Sequence, residues 1–251
     1  DAIRRCSQNG LTVIAGGPLF ATEYDRFEHV DHFVLGEAEN VLPELLTDLA
    51  EGRARRLYSS SDYPELAGTP VPRWDLVDQS YYSSRNIQYS RGCPYACDFC
   101  AVTQLFGHRC RTKSAEQIIA ELDSLYDIGW RGTVGFVDDN LIGNKRKLRN
   151  ELLPAIIEWR RGKWGMTFST QVTIDLADDP ELMEQMVRAG FDTLVVGIES
   201  VEEESLTECN KRQNSGRDIL EDVRRMQRAG FVVQGGFCVG FVRGTAAVFE
   251  R

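Results

Sequence analysis

Residues 89–102 read YSRGCPYACDFCAV, from Tyr89 to Val102. Cys93, Cys97 and Cys100 stand there in a C-x3-C-x2-C spacing. Three thiolates on so short a loop can hold a metal centre, yet they leave one position open. Structural zinc wants four closed ligands, and His108 or Cys110 in "FGHRC" just downstream could supply the fourth. The other reading is a four-iron cluster on three thiolates, whose remaining iron can chelate a small molecule through an amine and a carboxylate.

The surroundings of the loop decide between these readings. Strand "IQYSR" leads into it, and Ser114 with Gln117 then forms a capping box for a helix with Ile118, Ile119, Leu122 and Leu125 on one face. Strand "TVGFV" follows and ends in Asp138-Asp139-Asn140. A helix is predicted from about Lys145 to Trp159, then strand "MTFSTQV". Asp179-Pro180 caps the next helix, which stops at Gly190 and feeds "TLVVGIES". A last helix stops at Gly230 and feeds "FVVQGGFCVGF". The junctions "VRAGFDTLVVG" and "QRAGFVVQGG" are nearly the same, and a repeated βα unit with strands apolar on both faces points to a barrel. Five strands are expected, near residues 87, 133, 166, 193 and 232. Polar groups gather at their carboxyl ends, where βα barrels keep their chemistry. These are the cysteine loop, Asp138 to Asn140, Ser169 and Gln171, Glu199-Ser200, and Gly235-Gly236. A structural zinc would need none of them.

Upstream, residues 1–50 read as strand, loop, strand and helix. "LTVIAGGP" ends in Gly16-Gly17-Pro18, "HFVLGEAE" turns at Gly36, and "NVLPELLTDLAEG" has helical spacing up to Gly52. Residues 51–86 carry Pro64, Pro70 and Pro72 among polar residues and read as a linker. The chain opens on Asp1 inside a helix-like run, without methionine or hydrophobic leader, so an interior slice of a longer protein is expected.

Composition narrows the function classes. The net charge of −9, from 29 basic and 38 acidic residues, argues against a nucleic-acid partner. No segment approaches the length of a transmembrane span. Seven cysteines, three of them packed together, suit an intracellular metal or catalytic site better than a disulfide framework. Cys6, Cys209 and Cys238 are expected to be packing residues. The basic run Lys145, Arg146, Lys147 and Arg149 reads as a solvated helix face, with a phosphate or membrane-surface contact as the alternative.

"RGCPYACDFC", placed after the first barrel strand, resembles the cluster motif of the radical S-adenosylmethionine (SAM) enzymes. The resemblance implies an α/β fold whose core is a partial (β/α)6 barrel of TIM type over residues 87–251, with five strands present and the sixth beyond Arg251. It implies that Cys93, Cys97 and Cys100 hold a [4Fe-4S] cluster, that SAM binds its open iron, and that reductive cleavage of SAM yields a 5′-deoxyadenosyl radical. Phe99 matches the residue that packs on the adenine. Asp138, Asp139 and Asn140 stand where the family holds the methionine amino group, without its usual Gly-Gly-Glu form. Glu199 matches the ribose contact, Ser169 and Gln171 are polar partners of the carboxylate or ribose, and Gly236 and Val239 lie in the turn beside the adenine. Val242 stands where close relatives carry an aspartate. The bland readings are helix capping for Asp138 to Asn140, a solvated acid for Glu199, and an idle polar side chain for Gln171.

Val13 to Gly52 resembles the end of the Rossmann-like cobalamin-binding domain that precedes the radical core in one subgroup. "TPVPRWDLVD" and "GWRGTVGFVDDNLIGN" are similar to the branch holding the hopanoid ring methylases. By this resemblance Gly16, Gly17 and Pro18 lie beside the cobalamin tail, with Gly36 and Glu37 at the next strand end. The implied reaction is methyl transfer from methylcobalamin to an unactivated carbon. The alternatives are a radical SAM oxidoreductase or cyclase with a vestigial cobalamin domain, and a zinc-stabilised binding module. The implied partners are a small-molecule or lipid substrate and an external electron donor such as flavodoxin or ferredoxin. The implied location is the cytoplasm, with a membrane-peripheral placement as the variant.

Overall fold

A computed structural model describes residues 1–245. They form two compact units, Asp1–Leu66 with Gln104–Gly107, and Ala67–Thr103 with the chain from His108 on. Residues 246–251, the end of the expected barrel segment, lie outside the described residues.

The first unit runs α1 (Ala2–Gln8), β1 (Ile14–Gly16), α2 (Pro18–Glu23), β2 (His32–Leu35), α3 (Ala38–Ala50) and β3 (Leu57–Ser59). Its strands are parallel in the order β1-β2-β3. Successive side chains of a strand point to opposite faces. Phe33 packs with Ala15 and Val30, while its neighbour Val34 packs with Val41, Leu45 and Tyr58. Both faces are therefore covered, which accounts for the unbroken apolar run "HFVL". The expected linker over 51–86 is more than a connection, since Leu57–Ser59 adds the third strand. Tyr58 in it is 2% exposed and donates its hydroxyl to Asp48 at 2.8 Å. A three-residue strand is too short to show any periodicity.

The second unit continues with β4 (Ser84–Ile87), β5 (Ser90–Arg91), the start of α4 (Val102–Phe106, whose residues from Gln104 on belong to the first unit), β6 (Arg111–Thr112), α5 (Ala115–Asp127) and β7 (Thr133–Phe136). Then come α6 (Lys145–Lys147), α7 (Leu153–Trp159), β8 (Thr167–Val172), α8 (Pro180–Ala189), β9 (Phe191–Glu199), α9 (Glu203–Glu208), α10 (Ile219–Ala229) and β10 (Val232–Phe237). Five strands pair in the order β10-β9-β8-β7-β4, every pair parallel. This is the expected run of βα units, with the five strands at the expected places.

Alternation along the strands separates core from site. Phe168 and Val172 of β8, with Leu194, Val196 and Ile198 of β9, face the helices and join the main core. Phe136, Phe168 and Phe191 meet there with ring centroids 5.0–5.4 Å apart. Burying each such ring contributes roughly 1.5–3 kcal/mol. The opposite face of the strands carries Gln171, Val195, Gly197 and, at its end, Glu199.

The capping signals hold. Ser114 and Gln117 form the capping box, Asp179 accepts from the Leu182 amide, and Gly190 and Gly230 end their helices in the left-handed region. The single helix expected over 145–159 is instead α6, a π-helical turn at Leu148–Leu152, and α7. Pro154 has no N–H to give a carbonyl one turn back, which breaks the regular ladder at this point. The basic run is also less solvated than expected. Lys145 pairs with Asp175 at 2.7 Å, Arg149 with Asp179 at 2.5 Å, and Lys147 donates to Thr112 at 3.2 Å. Among the described residues no helix is long and apolar enough to cross a membrane.

Candidate functional site

The cysteine loop is anchored before its first cysteine. β5 and β6 pair antiparallel, Ser90 opposite Thr112 and Arg91 opposite Arg111, and close the base of the loop. Asp138, at the carboxyl end of β7 and fully buried, accepts from the amides of Tyr89 (3.0 Å) and Ser90 (2.5 Å) and from the Ser90 hydroxyl (2.5 Å). Burial lifts its carboxyl to about 6 against the opposing pull of those donors.

A second segment grips the loop from the far side. The Asp98 amide donates to the Cys209 carbonyl at 3.0 Å, and Asn210 Nδ2 donates to the Ala96 carbonyl at 2.7 Å. Gln213 Nε2 donates to Cys97 Sγ at 3.6 Å. Within the loop, the Cys100 amide donates to the Cys97 carbonyl at 3.0 Å.

Cys93, Cys97 and Cys100 line one cavity of ≈ 180 Å³ together with Phe99, Asp139, Gln171, Glu199, Lys211 and Gln213. A larger hollow of ≈ 760 Å³ lies against α8 and α10 and holds none of these groups. Lys211 Nζ stands 3.0 Å from Glu199 Oε1, and both side chains are buried. The same ammonium lies 5.7 Å from the Phe99 ring centre. Glu199 also accepts from Cys238 Sγ at 3.1 Å, and its backbone sits at φ +64°. A non-glycine residue held there stores strain of the kind that clusters at functional sites. Gly197 lies under the pair: a Cβ there would stand 2.5 Å from Glu199 Oε1 and 2.9 Å from Lys211 Nζ, so any side chain at this position must displace one of them. Burial pushes the Cys93 thiol and the Asp139 carboxyl above their ordinary values, and Tyr95 beside them up to about 12.

The structure thus brings the three cysteines, Phe99, Asp139, Gln171 and Glu199 to one cavity. It holds other expected residues apart from it. Asp138 is turned to the backbone of the cysteine loop. Asn140 exchanges hydrogen bonds with Thr173, accepting from its amide and donating to its hydroxyl at 3.3 Å each. Ser169 lies two residues deeper on β8, beside Gly135. Gly236 and Val239 do not line the cavity, and Val239 is exposed. The end of β10 reaches Glu199 through Cys238 instead, whose amide also donates to the Glu199 carbonyl at 2.9 Å. Gln213 and the Cys209 carbonyl carried no local signal, because their partners lie more than a hundred residues upstream, and the pairing of Lys211 with Glu199 depends on where the fold places the two side chains.

The cavity presents three cysteine thiols, one short of the four closed ligands that a structural zinc takes. His108 and Cys110 do not line the cavity, and Cys110 packs beside Gly143. Among the described residues no three His, Cys, Asp or Glu side chains crowd around one ion position. In the first unit, Gly16 ends β1 with Gly17-Pro18 after it, and Gly36-Glu37 follow the carboxyl end of β2. Gly17 lies at φ +92° with open space above it, and a Cβ at Gly16 would stand 2.8 Å from the Val34 carbonyl. Gly16 thus lets the β2 backbone approach closely, and Gly17 leaves open space at the end of β1.

A cysteine loop after the first strand of a parallel barrel sheet, opening on a cavity with paired buried charges, defines the class. The sequence profile of the Radical SAM superfamily matches residues 87–243, and the chain belongs to that superfamily. It is 37% identical over 243 residues to an uncharacterised methyltransferase of Synechocystis sp., covering 96% of this chain and 45% of that protein. It is 36% identical to the hopanoid C-2 methylase of Rhodopseudomonas palustris, covering 96% and 46%. The chain spans about half the length of these curated relatives. Its fold matches the radical SAM methyltransferase TsrM of Kitasatospora setae, solved with tryptophan and a SAM analogue, at a TM-score of 0.75 and 21% identity, covering 98% of this chain and 53% of that one.

Proposed function

We propose that this chain is part of a cobalamin-dependent radical SAM methyltransferase acting on an unactivated carbon of a small-molecule or lipid acceptor. The observation that carries the reading is the convergence of Cys93, Cys97 and Cys100 with Asp139, Glu199 and Lys211 on one cavity at the carboxyl ends of the barrel strands. When bound, the cluster and SAM together supply a hydrogen-abstracting radical, and methylcobalamin supplies the methyl group.

The three cysteines would hold the cluster as thiolates. Each must release its proton, and the raised Cys93 thiol makes loading favour higher pH. Asp139 and the Glu199–Lys211 pair present both charge signs to a cosubstrate that carries an amine, a carboxylate and a sulfonium. Phe99 offers an apolar face for the adenine. Burying these charges costs several kcal/mol unless each is partnered, and a zwitterionic ligand offers the partners. Gly16, Gly17, Pro18, Gly36 and Glu37 would receive the nucleotide tail of cobalamin. The electron would come from an external donor such as flavodoxin or ferredoxin.

Three experiments test this. Anaerobic loading with iron and sulfide should give a brown chromophore that Cys97→Ala abolishes, whereas stoichiometric zinc without chromophore would refute the cluster. Hydroxocobalamin titration of the chain should show saturable binding, and the loaded protein with SAM, reductant and methylcobalamin should release 5′-deoxyadenosine with a methylated product. Deoxyadenosine without cobalamin binding or methylation would favour a radical oxidoreductase or cyclase.

A further inference from the structure

We propose that Gln213 is a positioning residue that tunes the cluster: its N–H···S hydrogen bond to Cys97 raises the reduction potential of a cluster held by Cys93, Cys97 and Cys100. The inference rests on the cluster reading above and concerns this chain's own residues toward that group.

Gln213 lines the cysteine cavity and aims Nε2 at Cys97 Sγ from 3.6 Å, a reach suited to sulfur. A thiolate only accepts, so the amide nitrogen, and not the oxygen, belongs on that side. The leftover Oε1 is buried without a hydrogen-bond partner among the described residues. The amide is therefore not oriented to satisfy itself; its placement satisfies the sulfur. The contact is also fixed in position. The Asp98 amide on the Cys209 carbonyl (3.0 Å) and Asn210 on the Ala96 carbonyl (2.7 Å) tie the two segments together on either side of Cys97.

Reduction adds one electron to the cluster from an external low-potential one-electron donor, with no bond made or broken. Part of the added density falls on the thiolate sulfurs. An N–H dipole aimed at one of them stabilises the reduced form more than the oxidised form, and the potential rises. Gln213 is neutral, and the neighbouring Lys211 is already paired with Glu199, so removing the amide changes a dipole without changing the charge.

The test is an EPR-monitored potentiometric titration of the anaerobically loaded chain beside Gln213→Leu and Gln213→Glu. Both variants should load the cluster, and both midpoints should move to more negative values. The Glu variant should move further, because it adds a negative charge. A tenfold loss in the one-electron reduction equilibrium would read as roughly 59 mV. Pulsed EPR of the reduced wild type should show a proton coupling that exchanges in D2O and is missing in Gln213→Leu. Loaded variants with the wild-type midpoint and coupling overturn the proposal. So does loss of the cluster in both variants while circular dichroism shows an intact fold, which would make Gln213 a structural support only. A wild-type chain that forms no chromophore refutes the cluster reading itself, and the proposal with it.

Discussion

Asp138 and Asp139 are chemically the same and adjacent, yet they do different work. Asp138 satisfies two backbone amides that feed the cysteine loop, while Asp139 faces the cavity. Asn at 138 presents one acceptor oxygen where the carboxylate presents two. Asp138→Asn should therefore leave one buried amide unpaired, cost ~1–3 kcal/mol in urea denaturation and lower the iron bound per chain. The pH dependence has a definite sign. Burial holds Asp138 at about 6 in the folded chain, above the roughly 3.9 of an unfolded one. The folded state thus takes up this proton first, and the group's contribution is full below the unfolded value and lost as pH rises through 6. Stability curves between about pH 4 and pH 7 should lose this component in Asp138→Asn; identical pH profiles would show that Asp138 is not buried as a carboxyl. Lys211→Met should be more costly. It strands Glu199 as a buried charge with Cys238 as its remaining side-chain donor among the described residues, at about 3–5 kcal/mol for a broken buried pair. A loss below about 1 kcal/mol would mean that water screens the pair.

At the scale of elements, the same local signal can carry different weight. Gly190 and Gly230 both end helices at positive φ, +97° and +115°. A side chain at either position meets the left-handed penalty of about 1–2 kcal/mol. At Gly190 a Cβ would also stand 2.5 Å from the Arg160 guanidinium, which donates to the Met166 carbonyl at the entry to β8. At Gly230 the nearest atom is 3.8 Å away. Gly190→Ala should accordingly destabilise the chain clearly more than Gly230→Ala, and equal denaturation midpoints would refute the difference. The two junctions look interchangeable in sequence; only packing separates them. Capping boxes, proline starts and glycine stops were legible because each acts within one turn of chain. The π turn before Pro154 was half legible. The proline was visible, but whether the helix would kink, stop or widen depended on how the flanking Leu148, Leu152 and Leu153 are buried.

For the molecule as a whole, the five-stranded sheet has an open side at β10. That strand's outer edge has no partner among the described residues, and Val232, Phe237 and Val239 are exposed there. An apolar edge with unpaired backbone groups invites pairing with another chain. The chain should associate with rising concentration in light scattering, and Phe237→Lys should suppress it; a monomer at all concentrations would contradict this. What the sequence determined by itself was local and periodic: strands by apolar runs, helices by caps, the barrel by the repeated βα unit, and the three-cysteine motif by spacing within eight residues. Tertiary structure alone decided which carboxylate faces the cavity, since Asp138 and Asp139 differ only in direction. It also decided that Cys209, Asn210, Lys211 and Gln213 close on a loop over a hundred residues away. Hydrogen bonds and ion pairs between distant segments leave no period in the chain, because they depend on where the folded backbone places two groups and not on what lies beside either one.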